Sequence, residues 1–133
     1  MNSPFASILQ GTDRSMVVAE NEHFIAVLEK KPLVLGHVIL ISKRLEDNVF
    51  DLPSEELATL MVFSKRVSYA IQKTIPCRKV GVAVIGLETR HAHMHLVPIH
   101  SADDLNFTRP KLDVAEAQLI ETLNALKTNL YHQ

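Results

Sequence analysis

Residues His91-Ala92-His93-Met94-His95-Leu96-Val97-Pro98-Ile99-His100 place four of the chain's seven histidines within ten positions. Apolar and polar side chains alternate with period two, which predicts a β-strand with His91, His93 and His95 on one face and Ala92, Met94 and Leu96 on the other. Neighbouring imidazoles then stand roughly 7 Å apart along the strand. Each brings two ring nitrogens that need partners, so three in a row build a core badly. A single histidine is usually structural, but three at this spacing predict chemistry.

The rest of the chain reads as a scaffold for that strand. Ser3 to Leu9 predicts a helical turn that gathers Phe5, Ile8 and Leu9 on one side and ends before Gly11. Met16–Ala19 and Phe24–Leu28 are β-prone runs separated by Glu20-Asn21-Glu22, an antiparallel hairpin. Pro32 and Gly36 bound a loop, after which His37-Val38-Ile39-Leu40-Ile41-Ser42 is apolar on both faces and reads as a central strand. Pro53 to Ile75 is the clearest helix, with Asp51 or Ser54 as N-cap and Pro76 as its stop. Its predicted buried stripe is Leu57, Leu60, Met61, Val67, Ile71 and Ile75, with Lys65, Arg66, Gln72 and Lys73 in water. Val80–Ile85 is a strand expected to pair with the histidine strand. Asp113-Val114-Ala115-Glu116 resembles a capping box opening a last helix whose stripe is Leu119, Ile120, Leu123, Leu126 and Leu130. The expected fold is α+β, a five-stranded antiparallel sheet with one helix after the third strand and another at the C-terminus. Residues 1–133 suit a single domain, with 111–133 as a C-terminal helical extension.

The formal net charge of −1 offers no basic surface for nucleic acid and no polybasic membrane anchor. No stretch approaches the ~20 apolar residues of a membrane span. One cysteine, Cys77, excludes an intramolecular disulfide framework and a multi-cysteine zinc site. A cytoplasmic protein is the expectation. Cys77 lies beside Arg78 and Lys79, which could lower its pKa, but no base neighbours it in sequence and a plain surface or half-buried thiol is favoured.

His37 begins the central strand directly after Gly36, where a small residue allows close approach to the backbone. If that strand lies near the histidine strand, a fourth imidazole joins the row. A nucleophilic imidazole needs a neighbour to set its tautomer, and the others can then donate to phosphate oxygens. Metal binding is the rival, since clustered histidines suit Zn²⁺ or Fe²⁺. On one strand, i and i+4 are roughly 13–14 Å apart, so a single ion reaches two of these three at most; no metal and no cofactor are expected. A nucleotide-binding regulatory module with little turnover is the third class. His100 has the opposite parity and reads as a surface histidine, His23 and His132 as solvated. Lys30, Lys31, Lys43 and Arg44 read as a solvated face.

Gly36-His37-Val38-Ile39-Leu40-Ile41-Ser42-Lys43, followed by His91-Ala92-His93-Met94-His95-Leu96-Val97-Pro98, resembles the histidine triad (HIT) family of nucleotide hydrolases and transferases. The order of elements from Phe5 to Pro98 is also similar. The resemblance implies that His93 attacks the α-phosphorus of a nucleoside phosphoramidate or related purine nucleotide and forms a nucleotidyl-histidine that water hydrolyses. It implies that His91 orients His93 through its backbone carbonyl, that His37 supports the network, and that His95 binds phosphate oxygens and protonates the leaving group. Glu29 falls where the family usually has a ribose-binding aspartate, and Phe5, Ile8 and Val27 fall where the base is walled. Homodimers, with sheets joined across a two-fold axis, are implied as well.

The chain also departs from the pattern. Leu87-Glu88-Thr89-Arg90, between Gly86 and His91, is several residues shorter than in familiar branches and lacks their Gly-Gln-Ser/Thr leaving-group contacts. Thr89 and Arg90 are the candidates to replace them. Val84 stands where an asparagine is common and Lys30 where an apolar base contact is common.

Overall fold

A computed structural model describes residues 3–131. The Asn21 carboxamide closes the first hairpin, its oxygen accepting from the His23 and Phe24 N–H groups at 3.0 and 2.7 Å, an Asx turn that a short polar link between apolar runs provides. The hairpin joins β1 (Val17–Glu20) to β2 (Phe24–Leu28), and a bulge between Val17 and Ala19 shifts its register. Strands β3 (Val38–Ser42), β4 (Lys79–Ala83) and β5 (His93–Ile99) complete an antiparallel sheet in the order β1-β2-β3-β5-β4. The sheet is five-stranded and the fold α+β, as expected, with β3 in the middle and the β4–β5 pair formed. β5 starts at His93, two residues later than the alternation predicted, and β4 stops at Ala83, short of Ile85.

Period-two alternation divides the sheet into two faces. On one, Phe24, Ala26, Leu28, Val38, Leu40, Met94 and Leu96 are buried under two helices, α2 (Ser54–Thr74) and α3 (Glu116–Tyr131). On the other, Val17, Ile25, Val27, Ile39 and Ile41 form a smaller cluster capped by Phe5, Ile8 and Leu9 around α1 (Ala6–Leu9). The registers Ile39↔His95 and Ile41↔His93 set both histidines on this second face. Covered by a one-turn helix and not by either long helix, that face keeps room for a cleft.

Several expectations need correction. Pro53 occupies the N-cap of α2 and no side chain caps it, so neither Asp51 nor Ser54 has that role. Met61 is 58% exposed; Phe63, Ser64 and Ala70 share the buried face with Leu60, Val67 and Ile71, and Glu56 joins them. Glu56 is tolerated there because Arg44 grips it through two hydrogen bonds of 3.0 and 2.8 Å. Ile120 of α3 is 44% exposed and Thr122 is buried in its stead, its hydroxyl donating to the Gln118 carbonyl. Lys43 and Arg44 are exposed, as a solvated face requires, and they also pair with Glu20 and Glu56. His23 is only partly solvated, 3.5 Å from the Glu56 carboxylate. His100 is exposed, as its parity implied; His132 lies outside the described residues. Burial pushes the Cys77 thiol up, not down. No described helix is long and apolar enough to cross a membrane.

Candidate active site

Gly36 has φ +99, and a Cβ there would stand 2.7 Å from Ile75 Cγ1. The group that approaches this glycine closely is therefore the end of α2, and the turn aims the next side chain, His37, into the sheet's open face. His37 is 2% exposed. Its Nδ1 accepts the Leu33 backbone N–H at 3.3 Å and its Nε2 lies 2.9 Å from His95 Nδ1. An acceptor at Nδ1 requires the proton at Nε2, so His37 donates to His95, and neutral His95 must carry its own proton at Nε2.

His91 and Ala92 form a bend outside the ladder, held by Ala92 N–H to the Glu46 carbonyl at 2.7 Å and Ser42 N–H to the Ala92 carbonyl at 3.0 Å. The fully buried His91 ring donates from Nε2 to the Ser42 carbonyl at 2.7 Å, which leaves Nδ1 the lone-pair nitrogen, without a partner among the described residues. Its backbone carbonyl accepts from His93 Nδ1 at 2.5 Å. That bond fixes the proton of His93 on Nδ1 and puts its lone pair on Nε2.

Burial lowers the pKa of all three remaining imidazoles because low-polarity surroundings disfavour their charged forms. His37 falls to about 3 and His95 to about 4, with the mutual influence of neighbouring histidines and of Lys111 adding to desolvation. For His93 desolvation also lowers the value, and the bond to the His91 carbonyl opposes it. Near neutrality His37 and His95 are uncharged.

The cleft beside the row measures ≈ 520 Å³ and is bordered by His37, His93, His95, Glu29 and Thr89. A neighbouring recess of ≈ 260 Å³ brings Phe5, Ile8, Val27 and Glu29 together. Eight of the nine residues singled out from the sequence thus border one or both of these recesses, while the ninth, His91, lines a third recess that it shares with His93. Glu29 is tied to the row through its backbone, donating from N–H to the His37 carbonyl at 2.9 Å. Phe5 does more than wall a recess, since its ring lies edge-on to His91 and His93 at 5.7 and 5.4 Å. Arg90 does not join the cleft; it pairs with Asp47 at 2.9 Å. Lys31 borders the cleft and is exposed, in keeping with its reading as a solvated side chain.

Two contributors were missed. Phe107 sets its ring against His95 at 4.7 Å and His37 at 6.1 Å, and Lys111 stands 5.2 Å above the Phe107 ring. They sit in an aperiodic stretch after β5, where no spacing signals a fold back over the site. Among the described residues, no group of three His, Cys, Asp or Glu is arranged to hold a metal ion.

Comparisons with known proteins agree with this architecture. The family model described as HIT domain matches residues 10–102. An HIT-like protein of Mycoplasma pneumoniae is 30% identical over 102 residues, covering 73% of this chain and 71% of that one. A bis(5'-adenosyl)-triphosphatase of Dictyostelium discoideum is 27% identical over 90 residues, 64% of this chain and 60% of its own length. Among solved structures, a hypothetical histidine triad nucleotide-binding protein of Sulfolobus tokodaii superposes with a TM-score of 0.81 at 24% identity, covering 96% of this chain and 91% of that one.

Proposed function

The chain belongs to the histidine triad family, and from that footing we propose that it is a nucleotide hydrolase working through a nucleotidyl-His93 intermediate at an α-phosphorus. The observation that carries this reading is the bond from His93 Nδ1–H to the His91 carbonyl, which leaves Nε2 with its lone pair beside the cleft. Attack by Nε2 makes His93 formally cationic, and the His91 carbonyl stabilises that charge through the same hydrogen bond. His95, with its Nε2–H held in place by His37, donates to a phosphoryl oxygen or to the leaving group.

In this reading the substrate is a purine nucleoside phosphoramidate or related nucleotide. Phe5, Ile8 and Val27 wall the base in the smaller recess, Glu29 takes the ribose hydroxyls, and Thr89 lies on the leaving-group side. The relative named as a bis(5'-adenosyl)-triphosphatase supports the hydrolase character. We further propose a homodimer. β4 is an edge strand, and Val82, Val84, Ile85 and Leu87 on and after it are 48%, 41%, 45% and 84% exposed, an apolar edge that a second copy would cover. The lone Cys77 fits a reducing, cytoplasmic setting.

The test is a screen of nucleoside phosphoramidates, dinucleoside polyphosphates and nucleotidyl sugars for monophosphate release, with rapid-quench mass spectrometry of the His93 peptide. Release together with a nucleoside-monophosphoryl adduct is expected. Nucleotide binding with neither would reassign the protein as a binding module.

A further inference from the structure

Residues 106–112 cross the sheet's open face next to His37 and His95, and the local bonding shows a built segment. Asn106 accepts from the Thr108 N–H at 3.0 Å and hydroxyl at 2.6 Å, and Leu112 N–H donates to the Pro32 carbonyl at 2.8 Å. The latter bond ties the segment to the loop that carries Leu33, the donor to His37. Phe107 is thereby held against both imidazoles. Lys111 donates from Nζ to the Phe107 carbonyl at 3.2 Å and lies over its ring, so a carbonyl and an aromatic face hold this cation rather than a carboxylate. Its charge reaches both His37 and His95, and Lys31 borders the same cleft. Two carboxylates border it too, but Glu29 is engaged at the other end, accepting from the Lys31 backbone N–H at 3.1 Å, and Glu88 sits on the loop leading to His91.

Resting on the hydrolase reading above, we propose that Lys111, seated on Phe107, is the specificity-determining residue for an anionic, phosphate-bearing leaving group, so that nucleotidyl phosphoanhydrides are preferred to amidates. The two substrate classes ask different things of the site. An amine leaves only if a proton is delivered to its nitrogen, whereas a phosphate leaves as an oxyanion and needs opposite charge nearby. His37 and His95 share one ordered hydrogen bond and are held neutral by burial, so His95 offers the leaving group a hydrogen bond from Nε2–H and not the extra proton of an imidazolium. Lys111 brings a fixed positive charge to the same end of the cleft.

The chemistry balances without any further reagent. The His93 Nε2 lone pair forms the N–P bond while the bridging P–O bond breaks, and its electron pair departs on the leaving phosphate as an oxyanion facing Lys111. Water then attacks phosphorus, the N–P pair returns to Nε2, and the water proton passes to solvent, giving nucleoside monophosphate and the freed phosphate-bearing product.

The experiment compares kcat/KM for diadenosine triphosphate and for adenosine 5'-phosphoramidate, whose leaving group is ammonia, in wild type, Lys111→Met and Lys111→Arg. Wild type should favour the anhydride. Lys111→Met should lower the anhydride-to-amidate ratio about tenfold, the scale of one charge-assisted contact, and Lys111→Arg should restore most of it. Lys111 is exposed, so unchanged thermal melting is the check on folding. A ratio untouched by Lys111→Met, or a wild type that prefers the amidate, overturns the proposal while leaving the hydrolase intact. If neither substrate is hydrolysed and no His93 adduct forms, the hydrolase reading falls and this proposal with it.

Discussion

His37 Nε2 and His95 Nδ1 are 2.9 Å apart, and because the other His37 nitrogen is committed to the Leu33 N–H, the proton between them belongs to His37. One backbone amide therefore dictates the tautomers of two side chains. The outcome is a donor, His95 Nε2–H, on the ring beside that of an acceptor, His93 Nε2, which is the asymmetry that the proposed displacement at phosphorus requires.

This order has a cost in acid. In the unfolded chain these histidines take up protons near their ordinary value of ~6.5, whereas in the fold His37 waits until about 3 and His95 until about 4. Between those limits the unfolded state binds more protons, so stability falls as pH falls from about 6.5 towards about 3 and is unaffected by these groups above that window. Thermal melting from pH 7.5 to 4 should show a declining Tm, and the decline should be shallower in His37→Phe. An equal slope in the variant would place the acid sensitivity elsewhere.

Removing the proposed nucleophile and removing the proposed donor should differ in kind. His93→Ala is expected to lower kcat/KM by roughly 10⁴-fold, because it eliminates the covalent route. His95→Ala should lower it by roughly 10²–10³-fold, the scale of a lost donor. Steady-state kinetics with nucleotide Kd from calorimetry will separate the two, and Kd should stay within about threefold in His93→Ala.

Gly36→Ala tests the turn that aims His37. The positive φ and the 2.7 Å approach of Ile75 Cγ1 together should cost roughly 2–4 kcal/mol in urea unfolding. Adding Ile75→Ala should relieve the steric part and leave the backbone part, so a double-mutant cycle should give a favourable coupling. Full additivity would mean that the contact contributes nothing.

The proposed dimer depends on the β4 edge. Light scattering at micromolar concentration should return twice the chain mass for wild type, and Val84→Lys with Leu87→Asp should shift it to monomer. A wild type that is monomeric throughout would end that part of the reading.

Much of this arrangement is readable from the chain, and the limits have physical causes. His93 and His95 obey the strand period, and the hairpin and α2 carry strong local signals, so faces and order followed from spacing. His91 keeps the pattern yet lies in a bend outside the ladder, because its ring and backbone serve Ser42 and His93 instead. Met61 and Ile120 fit a helical stripe but are exposed, since periodicity cannot say how wide the covered arc is. The Leu33 N–H has no side-chain signature at all. Phe107 and Lys111 reach the site through tertiary folding of an aperiodic segment, and one-dimensional spacing holds no record of such an approach.

The pairing of β3 with β5 bears on how the protein is made. His37 and His95 are 58 positions apart, and α2 lies within the intervening loop. Their contact pays the loop-closure entropy of the whole crossover before it gains a single hydrogen bond. The histidine row should consequently be complete only when that crossover has closed, so the return of the proposed nucleotide turnover during refolding would clock sheet assembly, lagging behind the recovery of helical signal.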